Sequence, residues 1–297
     1  MGMKMKSGLV LLFSFLLGFS SYGQKNLDVL ATDVMYYSDI VANTLLPSSK
    51  TKANESLVMT MEEFLGTSGS FNYSFEQSPW ISIKECAGNT MKVYSWEVKK
   101  GEDDYAYFGY IQKADGTFVT LSDQSSDIED AAYMDLDVDY WYGALYYNVL
   151  DVTDADGNLM TILFGINKKD KFTTTKVAEV IQIKSDKIAF GSPIFEDKEN
   201  TSWANRIYQE YSADANGTLN YSEGLGMIIF DNLIPRMGAM EGQGPTKYPD
   251  GSYKGYQWKE GKFEYVDKIY DYISDTPPNL KKSVPRKEKR DIFGKKN

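Results

Sequence analysis

Asp135-Leu136-Asp137-Val138-Asp139 is the stretch of this chain whose residue types and spacing come nearest to a chemical device. Side chains alternate between the two faces of a strand, so the three carboxylates would project from one face and Leu136 and Val138 from the other. Asp127, Glu129 and Asp130 lie just upstream, which puts six acids within 13 residues. Carboxylates in line repel one another unless water solvates them or a cation bridges them. Three readings follow. The segment is a solvated sheet face or loop; or Asp135, Asp137 and Asp139 hold a Ca2+ through hard oxygen ligands; or it supplies paired carboxylates for glycoside hydrolysis, a reaction set by carboxyl separation in space rather than in sequence. No cofactor other than that Ca2+ is indicated.

Aromatic residues make up 14% of the chain. They concentrate in Tyr140-Trp141-Tyr142, Tyr146-Tyr147 and the group Tyr253, Tyr256, Trp258, Phe263 and Tyr265. If exposed, Trp141, Tyr142, Tyr256 and Trp258 could bind a ligand by stacking on sugar rings. The same residue types are favoured in strands and fill wide sheet cores.

Two motif resemblances dissolve on inspection. Asp154-Ala155-Asp156-Gly157-Asn158 opens like a calcium-binding loop, but the sixth and twelfth places, which need Gly and a bidentate Glu, are Leu159 and Gly165. It reads as a turn between strands. Ser49-Lys50-Thr51-Lys52 matches the Ser-x-x-Lys of penicillin-recognising enzymes, yet it falls in an expected polar loop and neither Ser-Asp-Asn nor Lys-Thr-Gly occurs.

The chain of 297 residues contains no histidine. That removes Ser-His-Asp and Cys-His catalysis, the HExxH helix and every His-based metal site. No Gly-rich phosphate loop or dinucleotide fingerprint appears either. Carboxylate chemistry, hard-cation binding and non-catalytic recognition survive, and no catalytic residue is assigned.

Met1, Lys4 and Lys6 form a basic start, Leu9 to Phe19 an apolar run, and Ser21-Tyr22-Gly23 a small-residue exit before Gln24. This is the layout of a cleavable export signal, and the run is short of the roughly 20 residues that cross a membrane. The expected location is periplasmic or extracellular, with no transmembrane segment after cleavage behind Gly23. Charge is divided along the remainder. Residues 24–274 carry 22 basic and 39 acidic side chains, a net of −17, which should repel nucleic acid; residues 275–297 carry a net of +5. The tail, with Pro277, Pro278 and Pro285, reads as a disordered appendage able to contact an anionic surface or an acidic partner. Cys86, the only cysteine, sits in a strand-like setting and reads as a small buried side chain.

The elements that must position these residues fall into two groups. Leu27, Leu30, Val34, Tyr37, Val41 and Leu45 recur at helical spacing up to Pro47. A second helix is expected with Asn54 as N-cap, Leu57, Met61, Phe64 and Leu65 buried, and Gly66 at its stop. From Phe71 the pattern becomes β, with strands at residues 91–100, 105–113, 117–121, 140–152, 159–167, 176–183, 187–195, 206–212, 218–221, 226–231, 253–259 and 262–269. The spacing of the Asp-Gly and Asn-Gly turns at Gly116, Gly157 and Gly217 is too irregular for a repeat. The expectation is mainly β (α+β): a meandering antiparallel domain at 71–274, as a sandwich, barrel or propeller, preceded by a helical segment at 24–70 packed on it.

Several stretches resemble a family of uncharacterised exported proteins of Bacteroidota. They include MKVYSWE at Met91 to Glu97, YFGYIQ at Tyr107 to Gln112, WYGALYY at Trp141 to Tyr147, LFGI at Leu163 to Ile166, FGSPIF at Phe190 to Phe195, EYS at Glu210 to Ser212, GMIIFDNLIP at Gly226 to Pro235 and GPTKYPDGSYKG at Gly244 to Gly255. The resemblance runs from about Phe71 to Ile269 and implies an exported protein with an N-terminal helical piece and a β region. It carries no activity. The composition therefore favours an envelope binding or structural protein, with an envelope protein or a glycan as partner; the alternative is a carbohydrate-binding module or a carboxylate-based glycan-active enzyme.

Overall fold

Asn26 starts the first helix by accepting a hydrogen bond from the Asp28 amide on its Oδ1 at 3.2 Å, which satisfies one of the donors a helix start leaves free. The computed structural model describes residues 26–75, 79–101, 103–154, 156–184 and 187–269. The segment expected to be an export signal, residues 1–23, and the basic tail, residues 275–297, lie outside them. Helix α1 (Leu27–Asn43) turns Leu30, Ala31, Val34 and Val41 inward. Helix α2 (Pro47–Leu65) begins on a proline, whose missing N–H costs nothing in a first turn, and Gly66 caps its end as the spacing predicts.

Two local expectations are corrected here. Asn54 is not an N-cap but a buried mid-helix residue, because the helix starts seven residues earlier at Pro47. Its Oδ1 accepts a hydrogen bond from the Trp96 indole at 2.9 Å. Ser49 to Lys52 lie in the opening turns of α2 rather than in a loop.

A 3-10 turn (Ser70–Asn72) leads, among the described residues, to sixteen strands: β1 (Ser82–Cys86), β2 (Met91–Lys99), β3 (Tyr105–Lys113), β4 (Phe118–Leu121), β5 (Leu136–Asp137), β6 (Leu145–Thr153), β7 (Leu159–Lys168), β8 (Thr173–Lys184), β9 (Lys187–Phe190), β10 (Phe195–Asp197), β11 (Ser202–Ala204), β12 (Arg206–Ser212), β13 (Leu219–Ser222), β14 (Met227–Met237), β15 (Pro245–Lys259) and β16 (Lys262–Val266). They form three sheets, and none closes on itself, which removes the barrel option. The first runs β1-β2-β3-β4, a plain antiparallel meander. The second runs β5-β9-β8-β7-β6, with β12 also on β8. The third runs β11-β10-β16-β15-β14-β13. The meander breaks three times: β5 pairs with β9, β12 returns to β8, and β10 meets β16 in parallel at Phe195 and Phe263.

Alternating side chains stack these elements as helices, first sheet, second sheet and third sheet. Tyr94, Trp96, Val98 and Tyr110 pack under the helices, while Cys86, Met91, Val93 and Ile111 of the same sheet face the second. Strand β2 is therefore buried on both faces, and its alternation of polar and apolar residues disappears into two cores. The second sheet repeats the arrangement. Leu163, Val177 and Ile181 face the first sheet, and Ile162, Phe164, Ala178 and Val180 face the third.

Candidate functional site

Strand β12 is the element around which a site forms. It pairs antiparallel with β8, from Arg206 opposite Glu179 to Ser212 opposite Thr173. In an antiparallel ladder only alternate residues bond to a given neighbour. The Ala213 amide, next beyond the strand, donates to the Phe172 carbonyl at 2.8 Å, so the phase puts Ile207, Gln209 and Tyr211 in bonds to β8. Tyr208 and Glu210 turn their N–H and C=O groups the other way. At the start of that outer edge the Arg206 amide donates to the Ala132 carbonyl at 3.2 Å. Among the described residues no strand pairs with the remainder.

That edge opens into a cavity of about 620 Å3 lined by the unbroken run Arg206, Ile207, Tyr208, Gln209 and Glu210. Consecutive strand residues point to opposite faces, so only an edge can present five in a row to one space. The opposite wall comes from β14, β15 and β16 with Asn232, Lys254, Tyr256 and Tyr265. A second cavity of about 430 Å3, reaching to Phe172 and Pro245, shares Glu210 and Lys247 with the first. Together they make one groove along β12.

The far wall is the outer half of the β14–β15 hairpin. Pairing shifts between Asp231 and Leu233, and beyond the shift the two strands pair only with each other, from Leu233 opposite Pro249 to Met237 opposite Pro245. The tip of this arm is fastened. Gln243 Nε2 donates to the Phe172 carbonyl at 3.0 Å and to Ser212 Oγ at 2.8 Å, and the Tyr248 hydroxyl donates to Asp214 at 3.3 Å.

Carboxylates outnumber ammonium groups in the groove. Glu196, Asp197, Glu199, Glu210, Asp231 and Asp267 face Lys198, Lys247 and Lys254, while the Arg206 guanidinium is spent in a buried pair with Glu179. Most are fixed in place. Asp197 accepts from the Tyr133 hydroxyl, from Asn200 Nδ2 at 2.9 Å and from the Glu199 amide at 2.9 Å. Partial burial pushes the Asp197 carboxyl up, but those hydrogen bonds outweigh it and hold it below its ordinary 3.8. Glu196 accepts from the Tyr265 amide at 2.8 Å, and Glu210 from Lys169 at 3.1 Å and the Tyr208 hydroxyl at 3.1 Å. A hydrogen bond to the Tyr265 hydroxyl raises the Lys254 ammonium above its ordinary 10.5. Lys198 and Lys254 both lie over the Tyr265 ring, 5.6 and 5.7 Å from its centre.

The residues singled out by sequence fall elsewhere, with one exception. Trp141 and Tyr142 are 0% and 2% exposed and offer no ring face to a sugar, so the stacking expectation fails for them. The Trp141 indole instead donates to the Tyr146 hydroxyl at 2.7 Å, which donates to Glu179 at 2.6 Å. Trp258 is half-buried against Phe263, 4.7 Å between ring centres. Tyr256 does line the groove, but its ring stacks on Phe230 and its hydroxyl donates to the Glu196 carbonyl at 3.1 Å. Asp135, Asp137 and Asp139 do alternate in exposure with Leu136 and Val138. The carboxylates of Asp135 and Asp137, however, are engaged within the protein: Asp135 accepts from Asn205 Nδ2 at 3.0 Å, and Asp137 from the amides of Asp139 and Tyr140 at 3.0 Å each. Among the described residues no group of three or more acids, histidines or cysteines could hold a metal ion. Asp154 closes the expected turn, accepting from the Asp156 and Asn158 amides at 2.9 and 2.7 Å.

Sequence reasoning missed Tyr208, Glu210, Glu196 and Asp197. Nothing in the sequence announces that β12 pairs with β8 across some thirty intervening residues and leaves its other edge open. Comparison of the chain with protein-family models, with curated proteins and with solved structures gave no match.

Proposed function

We propose that this is an exported, non-catalytic binding protein of the bacterial envelope, related to the Bacteroidota family it resembles, and that its ligand occupies the groove between β12 and the β14–β15 arm. The observation that carries the reading is the groove itself. It is a continuous charged channel whose side chains are already held by hydrogen bonds, so little ordering is left to oppose binding. The export signal supports the location, and the lack of histidine supports binding over acid–base catalysis.

A glycan is the competing ligand class. Its usual stacking platform is not free here, since two ammonium groups sit over Tyr265 and Tyr256 is stacked on Phe230. The test is capture from a solubilised envelope fraction by the wild-type chain and by the double variant Glu196→Lys, Glu210→Lys, beside binding of both to an array of envelope glycans. A partner held by the wild type and lost by the variant supports the groove. Equal capture by both removes it, and glycan binding lost in the variant replaces a protein ligand with a sugar.

A further inference from the structure

The open edge of β12 has a chemical meaning that the groove alone does not supply. We propose that β12 accepts an extended, Lys- or Arg-bearing segment of a partner polypeptide as an additional antiparallel or parallel strand, with the N–H and C=O groups of Tyr208 and Glu210 forming the new ladder. This deepens the reading of the groove as the binding site and rests on it.

Three observations carry it. First, a strand edge is a row of directed donors and acceptors, and an extended backbone is the ligand that satisfies them in series. Second, proteins ordinarily cover, shorten or bulge such an edge, and here the stretch at Tyr208 and Glu210, next to the Arg206 amide bonded to Ala132, opens instead onto a channel. The arm that walls the channel is fastened at its tip by Gln243 rather than laid onto the edge as a paired strand. Third, the groove's lining holds six carboxylates against three lysines, and of these acids only Glu210, with Lys169, and Asp267, with Lys254, are in ion pairs among the described residues. A strand added to β12 would send alternate side chains to opposite faces, so basic residues at every second position would share one face in a lining rich in acids.

The edge strands β1 and β13 carry no comparable argument. The cavity beside β1 has Lys84 as its one charged side chain. The one beside β13 is lined mainly by apolar and uncharged groups, such as Leu225, Ile229 and Tyr253. The basic segment within the chain itself, Lys281 to Arg290, contains Pro285, which removes a ladder donor, so a partner chain is the better occupant.

The experiment titrates the full chain with a blocked, fluorescently labelled heptapeptide of alternating lysine and valine. Two controls are the same peptide with glutamate for lysine, and the lysine peptide with alternate backbone amides N-methylated. The expected result is saturable binding of the lysine peptide, no binding of the glutamate peptide, and about tenfold or greater weakening for each ladder hydrogen bond removed by methylation. Glu210→Lys should weaken binding to a similar degree while leaving the melting temperature near wild type; if that variant unfolds, Asp267→Asn, at an exposed rim position, is the substitute. Equal binding of the methylated peptide overturns strand addition, as does absence of binding by the lysine peptide. Displacement of the lysine peptide by a synthetic peptide of residues 275–297 overturns the choice of a partner chain. If the peptide fails to bind while the groove variants still lose envelope capture, strand addition fails and the groove reading stands; if envelope capture is also unchanged, both fail.

Discussion

Arg206 and Glu179 sit directly opposite one another across β12 and β8, and the guanidinium Nε donates to the Glu179 carboxylate at 3.0 Å with both side chains wholly buried. Such a pair is stable only if its remaining polar atoms are matched. Here they are. The other Glu179 oxygen accepts from Tyr146, and the other guanidinium nitrogens reach the carbonyls of Ala131, Met134 and Phe190. The pair thus ties β12 to β8 and holds the loop before β5, the inner end of the groove.

Removing one partner should strand a buried charge. Glu179→Gln or Arg206→Met is expected to cost about 3 to 5 kcal/mol in urea unfolding. The double variant Glu179→Leu, Arg206→Met should lose less than the sum of the single variants. Additive losses would show that the two groups do not act as a unit.

The helical layer is fastened to the first sheet by the hydrogen bond from Trp96 to Asn54, buried between them. Trp96→Phe leaves the Asn54 oxygen unpaired and is expected to cost about 1 to 3 kcal/mol. Asn54→Leu in that background should recover part of the loss. Two-state unfolding curves of the three proteins decide it, and no recovery would mean that the lost ring volume dominates.

Cys86 lies in the core between the first two sheets, and its thiol is pushed up to about 12, chiefly by burial and then by the charge of Asp151. A thiol that stays protonated and covered does not react. An aromatic disulfide reagent should leave the native chain unlabelled at neutral pH and modify one thiol after denaturation. Fast labelling of the native chain would contradict the placement.

Acid should weaken the fold through a defined set of carboxyls. Asp197, Asp115, Asp154 and Asp250 are held below their ordinary 3.8 by hydrogen bonds from turn amides and side chains, against the opposing effect of desolvation. A depressed carboxyl contributes stability that is complete above 3.8 and is lost as pH falls through its lowered value in the native state. Urea midpoints should therefore hold level on the approach to 3.8 from above as far as these groups are concerned and drop below it. Asp197→Asn should flatten part of that drop.

The sequence was legible where the physics is local. Strands β3 and β12 lie at their expected residues, and the Asp154 turn forms as its chemistry requires. Helix α2 was misplaced at its start because Pro47 as a first-turn residue outweighed Asn54 as a cap, and Asn54 was needed by Trp96. The candidate site was legible only in pieces. Tyr256 and Tyr265 stand in one aromatic-rich group and line the groove, whereas Trp141 and Tyr142 in a comparable group go to the core, since residue type does not distinguish a filled sheet from an exposed one. The groove depends on β12 leaving the meander to join β8, a long-range pairing that no local pattern encodes.

Entry of the ligand along the free edge of β12 is open to hydrogen exchange. Full chain saturated with the lysine–valine peptide should show slowed exchange in a fragment covering Arg206 to Ser212, where the outward amides of Tyr208 and Glu210 gain partners, with no change at the edge strand β13, Leu219 to Ser222. Unchanged exchange at Arg206 to Ser212, or equal protection of both edges, would contradict it.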